Sequence, residues 1–361
     1  MPSCSRRSAC ARSPWPPPHD TRAPRTPEFP ERVPVRAGVA TVSGNERAGA
    51  VTGSWVGSGG GGSDGDGGER RMTRVAVLGL GGMGTPMAAN LIRAGLDTVV
   101  WNRRTDRARA LRDHGAEVAA DPAEAVRRAD VAVTMVTDAG AVRAVAVDQG
   151  MLAALPDGAV WAQMSTVGVA ETQRLVELVA AERPDVTFVD APVAGSRGPA
   201  EQGKLTVLAS GPEQVRDRVA PVFDAVGQRT LWLGPAGAGS RLKLVNNLLL
   251  AFVNEGVAAA MALADTLGLD RDTVRQAFDG SPLVSPWAAE KLARVARDEH
   301  GPQYSLTLAL KDVELALREA PTGSFPAAEA LAAEWRDAVG RGLGGDDLTV
   351  VTRLLGPGAA R

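Results

Sequence analysis

Val75-Ala-Val-Leu-Gly-Leu-Gly-Gly-Met-Gly-Thr-Pro-Met-Ala-Ala-Asn-Leu91 is the stretch whose reading decides the fold. Val75 to Leu78 is a short, continuous run of β-branched and aliphatic residues, as expected of a parallel strand covered on both faces. The turn follows at once. Gly79, Gly81 and Gly84 stand in G-x-G-x-x-G spacing: the first allows the tight turn, the second admits a pyrophosphate, and the third lets the following helix close on the strand. The main chain of Gly79, Leu80, Gly81, Gly82, Met83 and Gly84 is therefore expected to cradle a dinucleotide. The helix directs its free N–H groups and the positive end of its dipole at the phosphates. Its apolar face continues through Met87, Leu91 and Ile92, and Gly95 ends it.

In a chain with 41 glycines that spacing alone is weak, so the flanking context matters. A second strand, Thr98 to Trp101, ends at Asn102, about 20 residues after the first glycine, where this kind of fold places the group that reads the adenosine ribose. The acid expected for NAD is not there. Asn102, Arg103 and Arg104 offer donors and positive charge to a 2′-phosphate instead, which points to NADP, with NAD as the alternative. The other reading of these residues is a solvated basic turn.

The 361 residues are 44% hydrophobic and 23% charged, with a formal net charge of −2. Length of this order accommodates two domains. Without a basic excess there is no electrostatic case for nucleic acid or a membrane surface as partner. No uninterrupted apolar run approaches the roughly 18 residues of a membrane span, so a cytoplasmic enzyme is expected. Residues 1–71 differ from the rest, being rich in Pro and Arg and then in Gly and Ser, and are expected to be disordered because they have too little apolar surface to bury. Met72-Thr-Arg-Val opens a strand so naturally that translation is expected to begin at Met72; an organelle transit peptide is the alternative. Cys4 and Cys10 both lie in this extension, which removes cysteine chemistry from the folded part, and three scattered histidines form no ligand cluster, so no metal is expected.

From Met72 on, apolar strands alternate with amphipathic helices: Asp130 to Val136 and Val160 to Met164 read as strands, with a helix or loop-helix over Ala139 to Gln149 between them. The fold class is α/β, with a Rossmann dinucleotide-binding domain over 72–236 and an all-helical domain over 237–361. Met135, Val136 and Thr137, and then Ser165 and Thr166, stand at strand C-terminal ends, where open α/β sheets bind ligands; core packing is the competing account of Met135 and Val136. The loop Ala194-Gly-Ser196 brings backbone N–H groups and a hydroxyl close together, which suits a carboxylate, although a plain connection between strands has the same composition.

Long helices without strands begin after Gly239. Ser240 reads as the N-cap of the first. Lys243 would then lie in the first turn, where a cation opposes the helix dipole, and Asn247 shares its face at i+4. Asn246 and Asn247 interrupt the apolar run Leu244 to Phe252 and need hydrogen-bond partners. A substrate or cofactor could supply them; a snorkelling lysine with satisfied core amides is the alternative. Further on, the Pro-broken connector Gly280 to Trp287 is read as lining the cleft, with Trp287 either touching substrate or packing.

Taken together, Gly79-Leu-Gly-Gly-Met-Gly-Thr-Pro-Met-Ala-Ala-Asn-Leu91, Asp190-Ala-Pro-Val-Ala-Gly195, Gly237-x-Gly239-x-x-x-Lys243-x-x-Asn246-Asn247 and Lys311-Asp312 resemble the signatures of the β-hydroxyacid dehydrogenases, in the expected order over Met72 to about Arg318. That family includes 3-hydroxyisobutyrate dehydrogenase and the glyoxylate/succinic semialdehyde reductases, and Gly195-Ser-Arg-Gly-Pro-Ala-Glu201 resembles the second branch more. The resemblance implies a C-terminal domain built round one long helix, a homodimer or homotetramer, and hydride transfer between NADP and a small carboxylate-bearing aldehyde, ketone or hydroxy acid. It implies that Lys243 is the catalytic acid, that Asn247 holds lysine and substrate in register, that Thr166 and Lys311 contact the cofactor, and that Ala194, Gly195 and Ser196 contact the substrate carboxylate. The family commonly has a serine where Ala194 stands. Imine reductases share the architecture but generally lack the lysine, so imine reduction is one alternative, and a non-catalytic NADP-binding module is the other.

Overall fold

The computed structural model describes residues 73–356, and the readings made for residues 1–71, with Cys4 and Cys10, lie outside that range. Nine strands come first: β1 (Arg74–Leu78), β2 (Asp97–Trp101), β3 (Glu117–Val118), β4 (Val131–Thr134), β5 (Val160–Gln163), β6 (Thr187–Asp190), β7 (Val193–Ala194), β8 (Leu205–Ala209) and β9 (Gly227–Trp232). The first six form one parallel sheet in the order β3-β2-β1-β4-β5-β6. This is the Rossmann order, with its switch point between β1 and β4. Every residue of β4 and β5 is buried, which is why neither shows polar alternation in the sequence.

Eight α-helices accompany the strands: α1 (Gly84–Arg93), α2 (Thr105–Arg112), α3 (Pro122–Val126), α4 (Ala139–Arg143), α5 (Met151–Ala154), α6 (Val169–Glu182), α7 (Arg197–Glu201) and α8 (Arg216–Val226). Two apolar clusters cover the sheet, one around Val77, Met87 and Phe223, the other around Leu78, Trp161 and Leu175. The strand that follows the Ala194 loop lies outside this sheet. It is β8, the centre of a small second sheet, antiparallel to β7 and parallel to β9.

The rest is helical: α9 (Ala238–Thr266), α10 (Arg271–Ala277), α11 (Pro286–Ala296), α12 (Leu306–Arg318) and α13 (Pro326–Gly340). The long α9 packs against α11, α12 and α13, and also against β6, β7 and β8. It is the one helix among the described residues that is long and apolar enough to cross a membrane by length and composition, although polar residues such as Asn254 and Glu255 interrupt its apolar run. It is also a core helix, and such helices pass the same test: Ala251, Ala258 and Met261 are buried in the helical cores.

The expected start of α9 needs correction. Ser240 is not its N-cap. The helix begins at Ala238 behind Gly237, and the capping is done from the sheet: Asp190 Oδ2, at the end of β6, accepts from Gly237 N at 3.1 Å and Ser240 N at 2.8 Å. The Ser240 hydroxyl donates to Asp190 Oδ1 at 2.8 Å and lies 2.9 Å from the Thr172 hydroxyl. Burial pushes the Asp190 carboxyl up, against the hydrogen bonds from Ser240, Ser210 and Gly237 that favour its ionised form. Lys243 accordingly stands in the second turn of α9, beyond the reach of most of the helix-end dipole.

Candidate active site

The glycine turn has two tight positions and two open ones. Gly79 has φ +105°, and a Cβ there would meet Met135 O at 2.3 Å; a Cβ on Gly84 would meet Gly79 O at 1.9 Å. Both are required by packing. At Gly81 and Gly82 a Cβ would meet nothing within 4 Å, so the middle of the turn is an open cradle at the N-terminus of α1. That is what a pyrophosphate needs, and the residues fit the dinucleotide. Leu80 fills the core with its side chain, and its backbone N–H and C=O are engaged within the turn. Asn102 Oδ1 accepts from Leu80 N at 2.9 Å, its Nδ2 donates to Arg104 O at 2.9 Å, and Arg107 Nη1 donates to Leu80 O at 3.1 Å. The Asn102 amide thus clamps the turn, while Arg103 and Arg104 remain exposed beside it.

The neighbouring strand ends supply the next wall. Met135 and Val136 are partly buried and Thr137 is exposed. The Ser165 hydroxyl is committed to main chain, accepting from Val136 N at 2.9 Å and donating to Thr134 O at 3.3 Å, so this buried residue shapes the β4 and β5 ends. Thr166 O accepts from Lys311 Nζ at 2.6 Å, which draws α12 onto the edge of the sheet. Burial would raise the Asp138 carboxyl, but bonds from Ala141 N and Thr137 and the Lys311 charge outweigh it and hold the group below the usual carboxylate range.

Ala194 ends β7 with no polar side-chain atom. Gly195 follows at φ +131°, where a Cβ would meet Leu205 Cδ2 at 2.7 Å. Ser196 precedes α7 without capping it, and its hydroxyl has no hydrogen-bond partner among the described residues. The sheet edge and α9 meet here, since α9 packs on β7.

Lys243 is the centre of the arrangement. It is buried, 9% exposed, and its ammonium makes no hydrogen bond and no ion pair within 4 Å among the described residues. Burial pulls its pKa from 10.5 to about 8; Asp312 opposes the shift and Lys311 adds to it. Asn247, one turn on, donates from Nδ2 to Asp312 Oδ2 at 2.5 Å and accepts from Asn246 Nδ2 at 2.9 Å. Lys311 Nζ lies 2.8 Å from Asp312 Oδ1. The Tyr304 hydroxyl donates to Asp312 Oδ2 as well. An ammonium that is desolvated, unpaired and able to exchange a proton near neutral pH is equipped as an acid–base group.

Trp287 packs between the helical cores and lies beside the Lys291 ammonium, 5.5 Å from the ring centroid. Tyr304 and the role of Asp312 toward Asn247 went unread in the sequence, as did the buried pair of Lys291 and Asp347. Two signals could have found them. Tyr304 is the chain's single tyrosine, and only four of its 40 Lys and Arg residues are lysine, namely Lys204, Lys243, Lys291 and Lys311. In so arginine-rich a chain each of the few lysines is a candidate for a site that needs a compact or releasable charge.

The family model for the NAD binding domain of 6-phosphogluconate dehydrogenase matches residues 74–234, and that for the NAD-binding domain of NADP-dependent 3-hydroxyisobutyrate dehydrogenase matches 237–355. Among similar proteins, glyoxylate/succinic semialdehyde reductase 1 of Arabidopsis thaliana is 32% identical over 284 residues, covering 78% of this chain and 98% of that one. The NAD-dependent L-serine dehydrogenase of Pseudomonas aeruginosa is 30% identical over 296 residues, 79% of this chain and 99% of its own. A crystal structure of 3-hydroxyisobutyrate dehydrogenase from Salmonella typhimurium superposes with a TM-score of 0.73 at 28% identity, over 78% of this chain and 100% of that one. With both halves matched in order and the lysine-centred site between them, this chain belongs to the β-hydroxyacid dehydrogenase family of NAD(P)-dependent oxidoreductases.

Proposed function

We propose that the enzyme prefers NADP and interconverts a small aldehyde or keto acid with its hydroxy acid. The observation that carries this reading is Lys243, buried and unpaired, with its pKa drawn to about 8. The turn from Gly79 to Gly84 holds the pyrophosphate, the exposed Arg103 and Arg104 favour a 2′-phosphate, and the dinucleotide supplies or accepts the hydride. Gly195 N–H and the free Ser196 hydroxyl receive the substrate carboxylate. The Lys243 ammonium donates a hydrogen bond to the carbonyl oxygen and gives up its proton to the alkoxide as the carbon is reduced; solvent then returns the proton to the amine. Asn247, held by Asn246 and Asp312, keeps that oxygen in register.

Similarity to a glyoxylate/succinic semialdehyde reductase favours short aldehyde acids over imines. The exposed row Val245, Leu249 and Phe252 along α9 supports assembly of two or four copies. The test is NADPH oxidation by protein starting at Met72, with glyoxylate, succinic semialdehyde, methylmalonate semialdehyde and a cyclic imine offered separately, beside Lys243→Met. Reduction of an aldehyde acid that drops by at least about a thousandfold in kcat in the variant supports the reading. Turnover of the imine alone, or a variant as fast as the parent, overturns it.

A further inference from the structure

We propose that Tyr304 is a positioning residue: its hydroxyl, acting with the Asn247 amide, holds the Asp312 carboxylate off Lys243 and so keeps the Lys243 ammonium free for the substrate oxygen. The inference rests on the reading of Lys243 as the proton donor.

The geometry assigns each oxygen of Asp312 a partner. Oδ2 accepts from the Tyr304 hydroxyl and from Asn247 Nδ2, and Oδ1 faces Lys311 Nζ at 2.8 Å. Lys311 is in turn tied to Thr166 O, just beyond the end of β5. The charges that reach Lys243 are those of Asp312 and Lys311, both on α12; Tyr304 stands on the loop before that helix, and Asp138, after β4, acts on Lys311. Asp312 is thus near enough to be felt by Lys243, yet the two do not pair within 4 Å. A buried carboxylate and a buried ammonium that close would ordinarily join, because each is costly to leave without a partner. What holds it off is that Oδ2 is committed to Tyr304 and Asn247 and Oδ1, which accepts no hydrogen bond among the described residues, is drawn to the Lys311 charge.

Tyr304 is well placed to enforce this. Its backbone N–H and that of Gln303 each donate to Asp347 Oδ2 at 3.1 Å, and Asp347 is buried in an ion pair with Lys291, 3.0 Å from Nζ to Oδ1. The phenol is therefore delivered by an anchored loop. Burial and the neighbouring Asp312 charge raise its pKa well above the usual phenol range, so the hydroxyl stays a donor at any working pH. Phenylalanine would keep the ring and lose only the hydroxyl. Asp312 Oδ2 would then have one donor fewer, and Lys243 is the nearby donor with unused capacity.

The test is Tyr304→Phe. The chain has four lysines, so protein labelled with 13C at lysine Cε gives four titrating signals, with Lys243 assigned by its loss in Lys243→Met. The expected result is a Lys243 midpoint near 8 in the parent that rises by about one unit in Tyr304→Phe. A rise of one unit also makes proton donation about tenfold harder. With glyoxylate, kcat at pH 7 then falls by about threefold and at most about tenfold while KM stays within about threefold, and the alkaline limb of kcat/KM moves up by the same unit. Because Tyr304 is the only tyrosine, absorbance at 295 nm follows its ionisation alone, and Asp312→Asn brings that ionisation down toward the ordinary phenol value. An unchanged Lys243 midpoint in Tyr304→Phe overturns the proposal. Glyoxylate turnover that survives Lys243→Met overturns the assignment of Lys243 instead, and the labelled-lysine titration still decides whether Tyr304 controls the pairing.

Discussion

Replacing Lys243 with methionine is expected to stabilise the cofactor-free protein and, on the proposed mechanism, to remove turnover. The folded state holds this ammonium where burial lowers its pKa from 10.5 to about 8. At about 1.4 kcal/mol per unit, keeping the charged form inside costs about 3 kcal/mol at neutral pH. Methionine has nearly the same length, is uncharged, and removes that cost. The sign follows from proton uptake. Between about 8 and 10.5 the unfolded chain holds the proton and the folded one does not, so this group makes the parent more stable as pH rises through that window. Below it, both states are protonated and the cost is felt in full; above it, both are neutral and the cost is gone. Urea unfolding without cofactor is the assay. The methionine variant is expected to lead by about 3 kcal/mol at pH 7 and by less than about 1 kcal/mol near pH 10.5. A variant no more stable than the parent at pH 7, or a lead that does not shrink with pH, refutes the reasoning that Lys243 is charged, buried and unpaired.

The glycine turn separates packing from ligand binding. Gly84→Ala, whose Cβ would sit 1.9 Å from Gly79 O, is expected to cost about 3 kcal/mol or more, seen as a large drop in Tm. Gly81→Ala has open space and is expected to melt within about 2 °C of the parent, yet to weaken NADPH binding at least about tenfold by fluorescence titration. Asp347→Ala leaves the Lys291 ammonium, 1% exposed, without its counter-charge and is expected to cost about 3–5 kcal/mol in denaturant unfolding. Arg103→Ala with Arg104→Ala is expected to raise the Kd for NADPH at least about tenfold and leave that for NADH within about twofold; equal effects on both would assign the arginines to the fold.

What could be read from the chain alone was what local chemistry decides. The β1 strand, the glycine turn and α1 follow from backbone rules that act over a few residues, and Lys243 and Asn247 were paired by the helical repeat. One reading is overturned and two residues carry bonds the sequence does not announce, all for one cause. Ser240 has the right residue type for an N-cap, but the donors of α9 are met by Asp190, a carboxylate brought from β6 by the tertiary fold. Asn102 stands where a ribose would be read, and its amide is spent on Leu80 N and Arg104 O. Ser165 stands at a strand end facing the ligand side, and two main-chain groups use its hydroxyl. In each case the residue is polar for a reason, and the reason is a partner from another part of the chain. Tyr304 was illegible on the same ground: its hydroxyl matters only because α12 presents Asp312 to it.

The long helix explains why stability and chemistry meet at one side chain. Ser240, Lys243 and Asn247 lie at i, i+3 and i+7 and share a face of α9. At one end of that face the sheet carboxylate Asp190 binds Ser240, and at the other the α12 carboxylate Asp312 binds Asn247. Each carboxylate takes its hydrogen bonds from donors other than the lysine: Asp190 from Ser240, Ser210 and Gly237, and Asp312 from Tyr304 and Asn247, with the Lys311 charge beside it. Had Asp312 paired with Lys243, it would have raised the lysine's pKa and relieved the cost of burial. The ammonium would then have been comfortable in the fold and poor at releasing a proton. The hydrogen bonds to Asp190 and Asp312 therefore lock α9 between the sheet and α12, and those to Asp312 Oδ2 turn toward other donors the one carboxylate whose charge reaches Lys243.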